Sequence, residues 1–359
     1  MTAGLVLNGV ADFVDCLEAD TDNVNKDNDG GEASTHRNAD DNNANDDGDT
    51  STLRQHGYTA TKDLLTTVET VNTTSSNYID IHEGVFGNRD AYETDDNIVG
   101  CSERLRLTSS HPSQAASVWY ESRVPVLRGF ETTFTWQTTD PSIECTDHVD
   151  KAFSNNLHRS CRTLGGDGFA FVVHADPADS SALGGDGEQL GYGGITNSIA
   201  VEFDTWTNVN TQGSDDVFQD HISIHSAGPL LPNNSNQSTS LGYWRPYDVA
   251  DGKIHEAKIQ YLPYVEDRYY ELMTANANLL PYLKDNGEGR RLGTLAVFVD
   301  QGIIEDRPLF AIPINLSLLL DLPDSLAYVG LTASTGRKWQ KHDILSWSFE
   351  ESPDEDDES

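Results

Sequence analysis

The chain has 359 residues, 59 of them Asp or Glu against 23 Lys or Arg, for a formal net charge of −36. That balance excludes nucleic-acid binding, which needs a basic face against phosphate, and equally excludes docking on an anionic membrane surface. No run of about 18 apolar residues occurs, so the sequence offers no bilayer-spanning helix; the longest apolar patch, "FAIPINLSLLLDL", is interrupted by proline and polar residues.

The opening "MTAGLVLNGVADF" is a poor secretory signal, because it lacks a basic start and carries Asn8 and Gly9 in its apolar stretch. "GLVLNG" reads as a strand, and residues 1–12 are expected to be the first strand of the main domain. Residues 13–97 then form an insertion. Its first part, 15–50, is Asp, Asn, Gly, Thr and Ala with almost no large apolar side chains, too little to offset chain entropy, so a largely disordered acidic segment is expected. "DNDGGEAS" fails the EF-hand spacing, and "TKDLLTTVETV" admits one weak helix. Residues 352–359 are an acidic tail.

From residue 98 to 351 the texture changes. "RLRLTSS", "SVWYESRVPV", "FETTFTWQTT", "GFAFVVHAD", "SIAVEFDTW", "HISIHSA", "KIHEAKIQYL", "TLAVFVD", "LFAIPINLSL", "AYVGLTAST" and "DILSWSFEE" all read as strands. Many alternate apolar with polar residues and are rich in β-branched and aromatic side chains, with Gly, Pro, Asn or Asp between them. The expected architecture is all-β, a jelly-roll sandwich of antiparallel sheets.

Four cysteines and no CxxC spacing suggest disulfides rather than zinc. A bridge from Cys145 to Cys161 would staple a polar loop just before a strand, and Cys16 with Cys101 would pin the base of the insertion. Acceptor triplets for N-glycosylation stand at Asn72, Asn233, Asn236 and Asn315. Together these point to an extracellular or secretory-pathway protein, although no clear signal peptide is present.

The stretch "VEFDTWTNVNTQGSDDVFQDHISI", residues 201–224, carries five acidic side chains and a histidine. Strand alternation sends Val201 and Phe203 toward a core and puts Glu202, Asp204, Trp206 and Asn208 in file on the other face. The loop adds Asp215 and Asp216, and the next strand sets His221, Ser223 and His225 on one face. Carboxylates, an amide and main-chain carbonyls suit Ca²⁺; a histidine beside carboxylates suits a transition ion such as Mn²⁺ or Zn²⁺. Carboxylates this close, without a cation, raise one another's pKa.

"VEFDTWTN…D…H", preceded by "GGDGFAFVVHADP" and "LGYGG" and followed by "TASTG…HDILSWSF", resembles the legume-type (L-type) lectin family, with its concanavalin A-like sandwich, over roughly residues 98–351, about 70% of the chain. The resemblance implies a two-metal site. Asp204, Asn208, Asp216 and the main-chain carbonyl of Trp206 would hold Ca²⁺; Glu202, Asp204, Asp216 and His221 would hold a transition metal, with Mn²⁺ the expected ion. Asp216 is preferred to Asp215 because it stands five residues before His221, the family's spacing.

For the sugar, the resemblance implies Asp167 as the hydroxyl acceptor after a cis Gly166–Asp167 peptide, Asn208 as a shared calcium and sugar residue, and Trp206 as the aromatic platform. Glu188 stands where the family often has a sugar-contacting glycine, with Gly187 beside it. "TGRKWQKHD" falls at the specificity loop, where Arg337 and Trp339, with Lys338 and Lys341, admit an acidic or sulphated glycan. The implied partners are glycans or glycoproteins, with a homodimer among the expected assemblies. Two other readings compete. A retaining glycosidase needs two close carboxyls, yet Thr207 stands where "EFDTWT" would need its second acid, so no enzyme is expected. A protein-interaction or adhesion module with the same fold is the alternative to a lectin.

Overall fold

In "FETTFTWQTT" every second residue is apolar or threonine, and the strand it forms, Phe130–Thr139, buries every second side chain and leaves the others half-buried. The same alternation builds the whole molecule. In the computed structural model the described residues are 4–14, 78–80, 104–150, 156–208, 216, 220–236, 239–244, 247–275, 279, 283 and 292–352. Met1–Cys16 and Thr74–Ser359 make up one unit; a second unit, Leu17–Thr73, lies outside the described residues. The expected weak helix, the Cys16–Cys101 bridge, Asn72 and Asp215 also fall outside them.

Two antiparallel sheets face each other. The front sheet runs β1 (Leu5–Gly9), β5 (Gln114–Tyr120), β17 (Leu326–Thr335), β10 (Gly168–His174), β11 (Ser198–Asp204), β12 (His221–His225) and β13 (Ser240–Trp244), with β6 (Val124–Pro125) beside β17. The back sheet runs β16 (Phe310–Ile314), β15 (Gly293–Val299), β14 (Ile254–Leu262), β7 (Phe130–Thr139), β18 (Lys341–Glu351), β4 (Arg104–Thr108) and β2 (Asp12–Val14), with β3 (Tyr78–Asp80) pairing β18. This is the antiparallel sandwich expected from the sequence. The opening segment contributes to both layers: Leu5–Gly9 pairs β5 at the edge of one sheet, and Asp12–Val14 pairs β4 at the edge of the other.

Aromatic side chains fill the space between the sheets at the end that carries the acidic loop. Phe169 and Phe203 are directly paired across β10 and β11 and stack with ring centroids 4.8 Å apart. Trp136 and Phe134 reach them from the back sheet, at 5.2 to 6.2 Å between centroids. Such pairs add about 0.5–1.5 kcal/mol each beyond the area they bury. A second cluster, including Trp119, Ala170, Ala182, Leu190, Tyr192 and Ala200, covers the outer face of the front sheet. The strands β10 and β11 are therefore buried on both faces.

Three readings of the sequence need correction. The polar segment between Cys145 and Cys161 belongs not to a loop but to a two-stranded ribbon, β8 (Ser142–Asp150) and β9 (Asn156–Leu164), with the two cysteines in register and bonded. The ribbon was missed because it has no apolar face to betray it: Ile143, Val149 and Leu157 are exposed, and Asp147–Arg159 and Glu144–Arg162 bridge the strands. "LFAIPINLSL" is not one strand; it ends at Ile314 and continues as a short helix, α3 (Leu316–Leu319), whose first turn is capped by the Asn315 side chain accepting from Leu318 N–H. Two further short helices, α1 (Tyr270–Ala275) and α2 (Gln301–Ile304), occur where none was expected; Tyr269, Met273, Phe298 and Ala296 cluster beneath them, with Ile303 of α2 packed alongside.

On the back sheet, Asp343 is fully buried and receives a bidentate pair from Arg106, at 2.8 and 2.9 Å. Removing one partner of a buried pair strands the other charge. Asp343→Ala is expected to lower the urea-unfolding free energy by about 3 kcal/mol with an unchanged m-value; a loss below about 1 kcal/mol would place the pair among weak surface interactions.

Candidate functional site

The site grows from the shared end of β10, β11 and β12. Register sets Asp204 opposite His221 and Glu202 opposite Ser223. Glu202, Asp204 and His221 each offer a ligand atom, all within 4.8 Å of one another and all buried. Val201 and Phe203 point into the core, as alternation requires. The acids do not run out into solvent, however; the segment bearing Leu190, Tyr192 and Ile195 lies over them.

Glu202 is held from several sides. Tyr192 donates its hydroxyl to Oε2 at 2.6 Å, Ser223 donates to Oε1, and His225 Nε2 stands 2.9 Å from Oε1 with His221 Nε2 at 3.5 Å. Burial works to raise the Glu202 pKa, but the charge and hydrogen bonds of His225 and His221 outweigh it and keep the carboxylate ionised. Burial also pushes the Tyr192 hydroxyl well up, and the Glu202 charge adds to it. Tyr192 and Ser223 were not assigned a role from sequence. Tyr192 lies in "LGYGG", ten residues from Glu202, and no local periodicity links it to the acid; Ser223 and His225 were visible as the i+2 and i+4 neighbours of His221.

Asp204 has less support. Its Oδ1 accepts from Trp206 N–H at 2.7 Å, while burial and the charges of Glu202 and Asp216 push its pKa well up. Asp216 is half-buried and laces to Asn208: Asn208 N–H donates to Asp216 Oδ2 at 2.5 Å, and Asp216 N–H donates to Asn208 O at 3.2 Å. Burial raises Asp216 to about 6. A donor set of crowded, desolvated carboxylates with one imidazole suits a divalent cation, whose charge would let all of them ionise together. The residues present fit a metal.

Next to this cluster lies Asp167. The Gly166–Asp167 peptide is cis, as the resemblance implies. Asp167 is 5% exposed, and its Oδ2 is buried with no hydrogen-bond partner. Burial raises its pKa to about 7, opposed by the Gly336 N–H and helped by the charges of Asp186, Glu188 and Asp216. Glycine at 336 leaves room for this carboxylate, since a Cβ there would stand 2.7 Å from Asp167 Oδ2 and displace it. Ser334 Oγ donates to Gly187 O at 2.5 Å and Ser235 Oγ to Glu188 O, which brings the 187–188 turn against the 334–336 segment.

Trp206 is half-buried, with its Cβ 3.4 Å from where a Cβ on Gly166 would be. Asn208 is half-buried, Trp339 half-buried and Arg337 exposed. The structure thus brings Asp167, Gly187, Glu188 and the 334–336 segment together, sets Trp206 against Gly166, and places Asp216 on Asn208. The expected basic specificity loop is not a free cationic surface. Lys341 is fully buried on Asp140 at 2.6 Å, and Lys338 faces Glu144 of the ribbon at 3.4 Å. Their partners lie far away in sequence, so the composition of "TGRKWQKHD" could not reveal them.

The fold and site together define an antiparallel β-sandwich with a buried acid–histidine cluster beside a recessed aspartate. Residues 283–359 match the model of the legume lectin domain. A probable L-type lectin-domain containing receptor kinase, VII.2, of Arabidopsis thaliana is 31% identical over 195 residues, covering 52% of this chain and 24% of that protein. Agglutinin-2 of Cladrastis kentukea is 26% identical over 238 residues, covering 64% of this chain and 60% of that protein. The chain therefore spans about a quarter of the length of the receptor-kinase relative and 60% of the agglutinin. Among solved structures, the exoplasmic/lumenal domain of VIP36 in a Ca²⁺/Man2-bound form matches with TM-score 0.44 and 19% identity, over 72% of this chain and 81% of that one. The lectin from Bauhinia forficata in complex with GalNAc matches with TM-score 0.43 and 18% identity, over 77% and 98%. Likeness at these scores carries no weight for function. The legume-type lectins are thus the family this chain resembles, in its motifs, in the family model that matches it and in its curated relatives.

The raised pKa of Asp167 has a thermodynamic consequence in metal-free protein. The folded state keeps a proton on it to about pH 7, whereas the unfolded chain releases it near 3.8. Asp167 therefore costs increasing stability as pH rises from about 4 to about 7, and a constant amount above. In chelator, Asp167→Asn is expected to match wild type in urea midpoint near pH 4 and to exceed it progressively up to pH 7. Equal midpoints across the range would place the Asp167 carboxylate in solvent.

Proposed function

We propose that the protein is a calcium-dependent carbohydrate-binding protein whose glycan site is centred on Asp167. The observation that carries this reading is the buried, unpartnered Oδ2 of Asp167, set beside Trp206 and a cluster of ligand atoms within 4.8 Å of one another. A carboxylate that accepts from two sugar hydroxyls, an amide that donates, and a ring that covers the C–H face are what a sugar requires.

Asp204, Asn208, Asp216 and the Trp206 carbonyl would hold Ca²⁺, and Glu202, Asp204, Asp216 and His221 a second, transition ion such as Mn²⁺. When bound, the cations supply the positive charge that keeps the buried acids ionised. The chain's own residues do the rest. Thr205 N–H and Oγ1 both donate to Asp167 O at 2.9 Å, and Asp167 N–H donates to Ser334 O at 3.1 Å, so both peptide groups flanking the Asp167 side chain are fixed. The lacing of Asn208 to Asp216 ties the amide to the same loop. Gly187, Glu188, Arg337 and Trp339 form the rim that selects among sugars. A single small site binds on the order of 0.1–1 mM, about 4–5.5 kcal/mol, so avidity through several sites or copies would matter.

The 13–97 segment is read as an insertion between the first strand and the body of the sandwich, and the protein as non-catalytic. The Cys145–Cys161 bond supports an oxidising, extracellular or secretory setting. Among the described residues no helix is long and apolar enough to cross a membrane.

On an immobilised glycan panel, binding is expected in calcium with manganese and is expected to vanish in chelator. Asp167→Ala and Asn208→Ala are each expected to abolish it while circular dichroism stays that of wild type. Unchanged glycan affinity in both variants would remove the site from this position. No binding by wild type with metals shown to be bound would favour the interaction-module reading.

A further inference from the structure

We propose that Gln340 and His342 are positioning residues for Asp167, acting through Thr205. The proposal rests on the glycan site being at Asp167, and it adds a route by which the back sheet sets the direction of that carboxylate.

The route is a chain of buried polar groups whose proton directions are determined. Thr205 Oγ1 stands 2.9 Å from Asp167 O, a carbonyl that can only accept, so the single hydroxyl proton goes there. Its lone pair is then free for Gln340 Nε2–H, also at 2.9 Å. The other Gln340 amide proton points to His342 Nε2 at 3.1 Å, which must be the unprotonated nitrogen. His342 Nδ1 therefore carries the proton and donates it to Thr108 Oγ1 at 2.6 Å. The Thr108 hydroxyl in turn donates to Gln340 O at 3.3 Å, which closes the circuit. Burial holds the His342 pKa down to about 3, so the neutral tautomer that this pattern needs persists at any physiological pH.

Thr108, Thr205, Gln340 and His342 are all at least 97% buried. Thr108 and His342 sit on paired positions of β4 and β18 in the back sheet, while Thr205 follows the last residue of β11 in the front sheet. The circuit thus spans the two layers. Gly165 is part of the arrangement, since a Cβ there would come within 1.9 Å of Gln340 Oε1. This close approach lets the Gln340 amide lie directly under the chain that leads into Asp167.

The positioning matters because, beyond the Gly336 N–H, the carboxylate has little else to orient it. One oxygen, Oδ2, has no partner. Its direction therefore depends strongly on the main chain, whose carbonyl is held by Thr205 alone, through two donors. A Thr205 hydroxyl that loses Gln340 can rotate away and leave the carbonyl with one donor. Gln340 holds no metal ligand directly, so its loss should reach the sugar before it reaches the cation.

The test uses the full chain in calcium and a panel of mannose-, galactose-, N-acetylglucosamine- and N-acetylgalactosamine-terminated oligosaccharides. Affinity is then measured for the glycan that wild type binds best, beside calcium affinity and near-UV circular dichroism at the same temperature. Gln340→Leu and His342→Leu are expected to weaken glycan binding about tenfold, the equivalent of one lost hydrogen bond, with calcium affinity changed less than about threefold. His342→Gln keeps an acceptor toward Gln340 and a donor toward Thr108 and is expected to restore binding to within about threefold of wild type. Gly165→Ala displaces the Gln340 amide without removing any polar atom, and it is expected to reproduce the glycan loss should Gln340→Leu fail to fold. Wild-type affinity in Gln340→Leu or Gly165→Ala overturns the proposal, as does equal loss in His342→Leu and His342→Gln, or parallel loss of glycan and calcium. Those outcomes leave the glycan site at Asp167 standing. Absence of glycan binding by wild type removes that site and this proposal together.

Discussion

The arrangement depends on one constraint: the strand that carries Glu202 and Asp204 is buried on both faces. Its inner face locks Val201 and Phe203 into the aromatic core, so the strand cannot rotate to release its acids to water. Its outer face lies beneath the cluster of Leu190, Tyr192 and Ile195. Desolvating a carboxylate costs several kcal/mol even after relaxation. The two acids answer this differently. Glu202 is surrounded by Tyr192, Ser223, His221 and His225, whose donors compensate its charge. Asp204 accepts the Trp206 N–H, while burial and the charges of Glu202 and Asp216 push its pKa well up. A cation is the physical complement of that asymmetry.

The same core constraint reaches Asp167. Phe169 and Phe203 stack face to face, two residues beyond Asp167 and one before Asp204. The two acids are therefore fixed relative to each other by a contact that neither of them makes. Around them, chain segments distant in sequence close in: the 187–188 turn through Ser334 and Ser235, and the 334–336 segment through the missing Cβ of Gly336. The disulfide-linked ribbon packs against the 338–339 segment, with Ser142 N–H donating to Trp339 O at 2.8 Å and Glu144 facing Lys338 at 3.4 Å.

Electrostatics around Asp167 run opposite to the impression left by the basic loop. Lys341 is spent on Asp140 and Lys338 on Glu144, while Asp186, Glu188 and Asp216 all act on Asp167. Acidic groups face the recess, and Arg337 remains the exposed base of the loop. An acidic or sulphated glycan would approach against that field.

The sequence by itself determined the sandwich and the file of acids. Strand alternation depends only on the two-residue period of the extended backbone, so it was legible in "FETTFTWQTT" and in "VEFDTWTN" without knowledge of any partner. The i+2 spacing of Glu202 and Asp204, and of His221, Ser223 and His225, belongs to the same local rule. Tertiary structure decided the rest: Tyr192 on Glu202, the Gly336 approach to Asp167, the burial of Lys341, the ribbon, and the Gln340–His342 circuit. Each of these joins residues through the register of one sheet or the facing of two, often across more than a hundred positions, and no local period encodes which side chains meet there.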